Sequence, residues 1–225
     1  MVRHATHSHG EEPDLFDRSA DIPPARGFAR LRSEAATCER CPLYKDATQT
    51  VFGEGKAHAP VVFVGEQPGD QEDLQGKPFV GPAGKMLNRA LEEAGLDRKQ
   101  VYVTNAVKHF KFERRGKRRI HSKPNAGEIE RCKWWLDKEL SLVKPKLTVA
   151  LGATAARALF GRATTISKVR GEFLALPEHE GAEVFVTVHP SSLLRAPDPE
   201  TQEREYKRFV ADMKAIARHV PAVRA

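Results

Sequence analysis

Apolar and polar positions along the chain fall into two patterns. Short continuous apolar runs occur at PVVFVGE (60–66), VYVTN (101–105), KLTVALG (146–152) and EVFVTV (183–188). Unalternating runs of this length, bounded by Gly, Pro or polar residues, predict strands buried on both faces. Between the runs, apolar residues recur at helical spacing. PAGKMLNRALEEAGL opens with Pro and closes with Gly, and NAGEIERCKWWLDKELSLV (125–143) offers Asn125 as N-cap with Glu128 in capping-box spacing. ATAARALFG and a segment from about 200 to 219 predict two more helices, and GFARLRSEAATCERC a short helix running into a cysteine pair. Strands alternating with helices predict an α/β fold: three layers, α/β/α, around a mostly parallel four-stranded sheet.

Composition narrows this picture. A chain of 225 residues with 40% hydrophobic content suits one domain, expected over 26–220, behind a polar N-terminal tail at 1–25. In that tail, His4, His7 and His9 suggest loose metal binding less than they suggest plain disorder. No run approaches the roughly 20 apolar residues of a membrane span, and the N-terminus lacks the apolar region of a secretory signal. A cytoplasmic protein of bacterial type, without membrane contact, is the expectation. The net charge of +7 favours a polyanionic partner.

In parallel sheets of this kind, ligands bind beyond the carboxyl ends of the strands. GEQPGD, TNAVKH, LGATAAR and HPSS occupy those ends. Glu66 is a carboxylate able to orient water or stabilise a cation. Taken alone it reads equally well as part of an exposed turn. Phe79 precedes GPAGK, where free N–H groups at a helix start suit a phosphate and the ring suits stacking on a flat base. Its bland reading is a core phenylalanine. Asn105 carries the donor and acceptor needed to read a pyrimidine edge, or simply forms a turn. His189 can donate to an oxygen that gains charge, or serve only structure.

Two further features stand out. Cys38 and Cys41 form a Cys-x-x-Cys half-site, Cys132 is the remaining cysteine, and His109 is the best-placed fourth donor. An iron–sulfur cluster, zinc and unligated buried thiols all remain open on this count. The stretch KFERRGKRRIHSK (111–123) carries a dense run of Lys and Arg with His121 near its end. By charge alone it is a phosphate-binding loop.

GEQPGD, Phe79 with GPAGK, Asn105 and HPSS together resemble the uracil-DNA glycosylase superfamily in order and spacing. The cysteine pattern is similar to the iron–sulfur, family 4 branch. The resemblance covers roughly residues 30–215. Where that branch has a third cysteine in a Val-Lys-Cys stretch, this chain has Val107-Lys108-His109, and it adds the basic insert ending in KRRIH. Both departures, with GEQPGD, resemble the X-type uracil-DNA glycosylases, which become covalently attached to DNA.

The resemblance implies a [4Fe-4S] cluster on Cys38, Cys41, His109 and Cys132, with zinc less favoured. It implies uracil-containing DNA as partner, single-stranded first, with the enzyme nucleoid-associated while acting. Phe79 would stack on a flipped uracil and Asn105 would read its edge. His189 would support the departing anion and Glu66 would act as a base or stabilise the cation. Gln67, Gly69 and Asp70 would shape the pocket, Ser191 and Arg195 would contact substrate, and Lys117, Arg118 and Arg119 would hold phosphates. His121 would be the attachment point. Losing uracil leaves an oxocarbenium-like sugar, and a neutral imidazole within about 3 Å would compete with water for it. The alternatives are a turning-over glycosylase whose KRRIH segment only grips DNA, and a non-catalytic metal-containing DNA-binding module.

Overall fold

The computed structural model describes residues 24–176 and 181–225. The tail expected at 1–25, with its three histidines, lies almost entirely outside the described residues. The four predicted strands form as expected: β2 (Val61–Gly65), β3 (Val101–Asn105), β6 (Leu147–Leu151) and β8 (Glu183–Thr187). They are mutually parallel, in the order β3-β2-β6-β8. The sheet has six strands, not four. β1 (Glu54–Gly55) and β7 (Phe173–Ala175) add antiparallel to β3 and β8 and close the two edges. Strands of two and three residues bury too little apolar surface to leave a pattern in sequence, and pairing with a formed edge is what orders them.

Alternate residues of the parallel strands point into two separate cores. Val62, Val64, Tyr102, Ala150, Val184 and Val186 face one; Val61, Phe63, Val103, Val149, Leu151 and Phe185 face the other. The first is covered by α1 (Pro24–Ala35), α4 (Ala126–Val143) and α5 (Ala153–Phe160), the second by α3 (Pro82–Glu93) and α8 (Pro199–His219). Burial on both faces explains the unalternating apolar runs. Asn125 caps α4 with the reciprocal Glu128 bond, as the spacing predicts. No helix among the described residues is long and apolar enough to cross a membrane.

The basic segment is a hairpin. β4 (Phe112–Arg115) and β5 (Arg118–His121) pair antiparallel, with Phe112 opposite His121 and the turn at Gly116 (φ 59°). This two-stranded ribbon is separate from the main sheet and stands above its carboxyl end. The remaining short helices, α2 (Asp70–Gln75), α6 (Ile166–Val169) and α7 (Pro190–Leu194), fill the connections.

Candidate active site

Three strand ends and the hairpin converge. Glu66 follows β2, and its Oε1 lies 3.2 Å from His121 Nε2 at the end of β5. Its Oε2 accepts a hydrogen bond of 2.5 Å from Thr154 Oγ1, at the start of α5 after β6. Burial alone would raise the Glu66 carboxyl, but the bonds from His121 and Thr154, with nearby His189, hold it below the usual carboxylate value. Glu66 is therefore ionised at neutral pH, next to a solvent-facing imidazole.

His189 follows β8 by two residues and caps α7. Its Nδ1 accepts from the Ser191 backbone N–H at 3.2 Å and lies 2.8 Å from the Ser191 hydroxyl. An accepting Nδ1 places the ring proton on Nε2, leaving a neutral donor aimed away from the helix. Burial, opposed by Glu66 and helped by Arg195 and His121, pushes the His189 pKa down to about 4. A neutral N–H donor suits an oxygen that gains negative charge as a base departs. Arg195 sits at the C-terminus of α7 and acts on His189 through its charge.

Phe79 lies nearly parallel to the His189 ring, 6.2 Å between centroids, and adopts a left-handed backbone conformation (φ 57°). Two glycines permit this. A Cβ on Gly84 would lie 1.8 Å from the Phe79 carbonyl oxygen, and one on Gly65 would lie 2.7 Å from the Phe79 ring. The Gly65 Cβ would also meet Asn105 Oδ1 at 2.3 Å. Gly65 and Asn105 are paired across β2 and β3, so the amide and the ring close over one bare glycine.

Other expected site residues serve the hairpin or the turns. Gln67 Nε2 donates to the carbonyls of Lys111 (3.1 Å) and Ser122 (3.0 Å), and its Oε1 accepts from the Lys111 N–H at 3.2 Å. Its amide thus spans the hairpin base. Arg119 donates to Asp70 Oδ1 (2.5 Å) and to Asp73 Oδ2 (2.6 Å), and its side chain is only 14% exposed. Arg119 and Asp70 are therefore engaged with each other, while Lys117 and Arg118 remain exposed. Gly69 caps α2, its N–H donating to Glu72 Oε2. The other Glu72 oxygen accepts from the Gly81 N–H at 2.8 Å. The donor expected to be free for a phosphate at the GPAGK turn is thus already used by this carboxylate.

The residues that sequence reasoning missed are the partners Thr154, Glu72, Asp73 and Lys111, together with a second bond made by the capping residue Glu128. Lys111 Nζ lies 2.9 Å from Glu128 Oε2, which ties the hairpin base to the start of α4. The one local signal was Thr154, a hydroxyl in the first turn of an otherwise small, apolar helix start just beyond β6.

Cys38 and Cys41 share the loop after α1 and Cys132 lies in α4; each sulfur receives an N–H. Trp135 Nε1 donates to Cys38 Sγ (3.1 Å), the Lys108 amide to Cys132 Sγ (3.2 Å), and the Leu43 backbone to Cys41. These donors only partly offset burial, which raises the Cys41 thiol and pushes Cys132 up to about 12. His109 is buried, with Nε2 2.9 Å from Thr50 Oγ1, which leaves Nδ1 for another partner. Burial lowers its pKa, favouring the neutral, ligating form. Among the described residues, no three His, Cys, Asp or Glu side chains converge on a point that a single ion would fill.

The model of the uracil-DNA glycosylase superfamily matches residues 52–214, from the approach to β1 to the body of α8. The chain belongs to the uracil-DNA glycosylase superfamily. Among its relatives, the type-4 uracil-DNA glycosylase of Archaeoglobus fulgidus is 38% identical, covering 78% of this chain and 88% of the relative. That of Thermotoga maritima is 38% identical, covering 78% and 84%. The type-5 enzyme of Pyrobaculum aerophilum is 33% identical, covering 69% and 79%. The superfamily match spans every strand end that carries a candidate group, and the KRRIH hairpin as well.

Proposed function

We propose that the chain excises uracil from DNA and then becomes covalently joined, through His121, to C1′ of the sugar it has exposed, in the manner of the X-type enzymes. Support for excision comes from superfamily membership and from Glu66, Phe79, Asn105 and His189 meeting at the strand ends. The observation that carries the covalent step is the 3.2 Å approach of His121 Nε2 to Glu66 Oε1. A hairpin built only to grip phosphates has no need to bring its imidazole to the buried end of β2.

The C1′–N1 bond breaks and its electron pair leaves with uracil, supported by the His189 Nε2–H. The ionised Glu66 stabilises the cationic sugar. The lone pair of a neutral His121 imidazole closes on C1′, and the resulting imidazolium gives its ring proton to solvent. Water takes the same place in a turning-over enzyme, and the imidazole excludes it by proximity. An alkylated imidazole is a poor leaving group here, so the reaction ends after one turnover.

Cys38, Cys41, Cys132 and His109 would hold a [4Fe-4S] cluster. Bound, it would join the segment after α1, the loop after β3 and α4. Iron content and visible absorption of anaerobically purified protein test it. The same reading makes the protein a cytoplasmic, monomeric enzyme acting first on single-stranded DNA, with Lys117 and Arg118 on phosphates.

A denaturing gel tests the covalent step. Protein mixed with an oligonucleotide carrying one uracil, then boiled in SDS, should give a slow band that requires uracil and vanishes in His121→Ala. Uracil released over many turnovers without that band would make the hairpin a phosphate arm. Neither band nor uracil would leave only a DNA-binding module.

A further inference from the structure

Lys108 and Glu139 form an ion pair with both side chains 0% exposed. Burying two charges is generally no more stabilising than an apolar pair of similar volume. The pair can, however, supply donors at fixed points, and here every one is used. Besides Glu139, the Lys108 ammonium donates to Thr104 Oγ1 (2.7 Å) and to the main-chain carbonyl of Asn105 (2.7 Å). Glu139 in turn accepts from the Gly53 N–H, the Tyr102 hydroxyl and the Thr104 hydroxyl, each at 2.8 Å. The ammonium also lies 5.6 Å from the centre of the Phe52 ring.

These bonds close a tight ring from the end of β3 back onto itself. Asn105 is the last residue of β3, its side chain is pressed against Gly65, and only 3% of it is exposed. The Lys108 amide, meanwhile, donates to Cys132 Sγ. One residue therefore anchors both the peptide that carries the pocket amide and a sulfur of the cysteine site.

We infer that Lys108 is a positioning residue for base recognition: its ammonium, held by Glu139 and Thr104, fixes the Asn105 main chain so that the Asn105 amide meets the uracil edge. The inference rests on uracil excision as proposed above. Lys108 touches neither the base nor the sugar, and it acts through Asn105. An isosteric apolar residue would fill the volume and leave the Asn105 carbonyl without its tether.

A double-mutant cycle tests this. Lys108→Met with Glu139→Gln removes both charges together and leaves no unpaired buried carboxylate. It is combined with Asn105→Ala, and two quantities are measured: the single-turnover rate of uracil release and the dissociation constant for free uracil. With Asn105 present, the charge-removing pair should slow release and weaken uracil binding at least tenfold. In the Asn105→Ala background it should change either by less than twofold. Iron content and melting temperature should follow the charge-removing pair equally in both backgrounds.

Equal losses with and without Asn105 would overturn the inference and make Lys108 a structural residue only. If the charge-removing pair fails to fold, Thr104→Val, which deletes one ammonium acceptor at nearly constant volume, replaces it in the same cycle. It should show the same non-additivity at smaller size, and additivity would again overturn the inference. Absence of uracil release by the wild-type protein would overturn the parent reading, and this inference with it.

Discussion

His121 and Glu66 meet at 3.2 Å although one stands on an exposed ribbon and the other ends a buried strand. The contact depends on Gln67, whose amide spans the ribbon base, and on Arg119, whose guanidinium pins the ribbon to Asp70 and Asp73. The cationic hairpin is thus partly neutralised from within. Its charge serves position as well as attraction.

Arg119→Ala should separate the two chemical outcomes. It leaves the buried Asp73 carboxylate with the Thr48 N–H but without its cation, the loss of a charged hydrogen bond that contributes about 1.5–3 kcal/mol. Melting temperature should fall, and the ratio of covalent adduct to free uracil should fall with it, because His121 loses its fixed place. A gel and a uracil-release assay on the same samples measure the ratio.

Thr154→Val should shift the acid limb of excision upward in pH. The Thr154 hydroxyl donates to Glu66 Oε2 and helps hold the carboxyl below its ordinary value. Glu66 stays ionised at neutral pH without that bond, so the loss of uracil release should appear on the acid limb and leave the neutral rate nearly unchanged. A pH–rate profile of the single-turnover step decides this.

Gly65→Ala should close the pocket. The added methyl would meet Asn105 Oδ1 at 2.3 Å and the Phe79 ring at 2.7 Å, so one of the two must move. Overpacking of this kind costs about 1–3 kcal/mol of stability. Uracil binding should suffer far more than folding, which calorimetric titration with free uracil and thermal melting would separate.

Acid should destabilise the protein through His189. Its folded-state pKa of about 4 lies below the ordinary histidine value, so between about 4 and 6.5 the unfolded chain binds the extra proton. Stability contributed by neutral His189 is complete above that window and is lost as pH falls through it. Glu66, also lowered, adds its own loss at lower pH. Melting temperature against pH should be flatter across that window in His189→Asn than in wild type.

The four parallel strands were legible in the sequence because burial on both faces leaves short runs rich in Val, Leu and Phe with no alternation. α4 was legible because its cap is written in adjacent residues, Asn125 and Glu128. The groups at the strand ends, Glu66, Asn105 and His189, followed from the rule that such ends face ligands. β1, β7 and the hairpin were not legible. Their residues are exposed or few, and their pairing depends on edges that exist only once the sheet has formed. The roles of Gln67, Asp70 and Arg119 were not legible either. Each looked like a group for substrate or DNA, and the fold turns each toward another segment of the chain. Sequence determined which chemical groups stand at the carboxyl end of the sheet. Only tertiary structure decided which of them hold one another, because hydrogen bonds between distant segments leave no local periodicity.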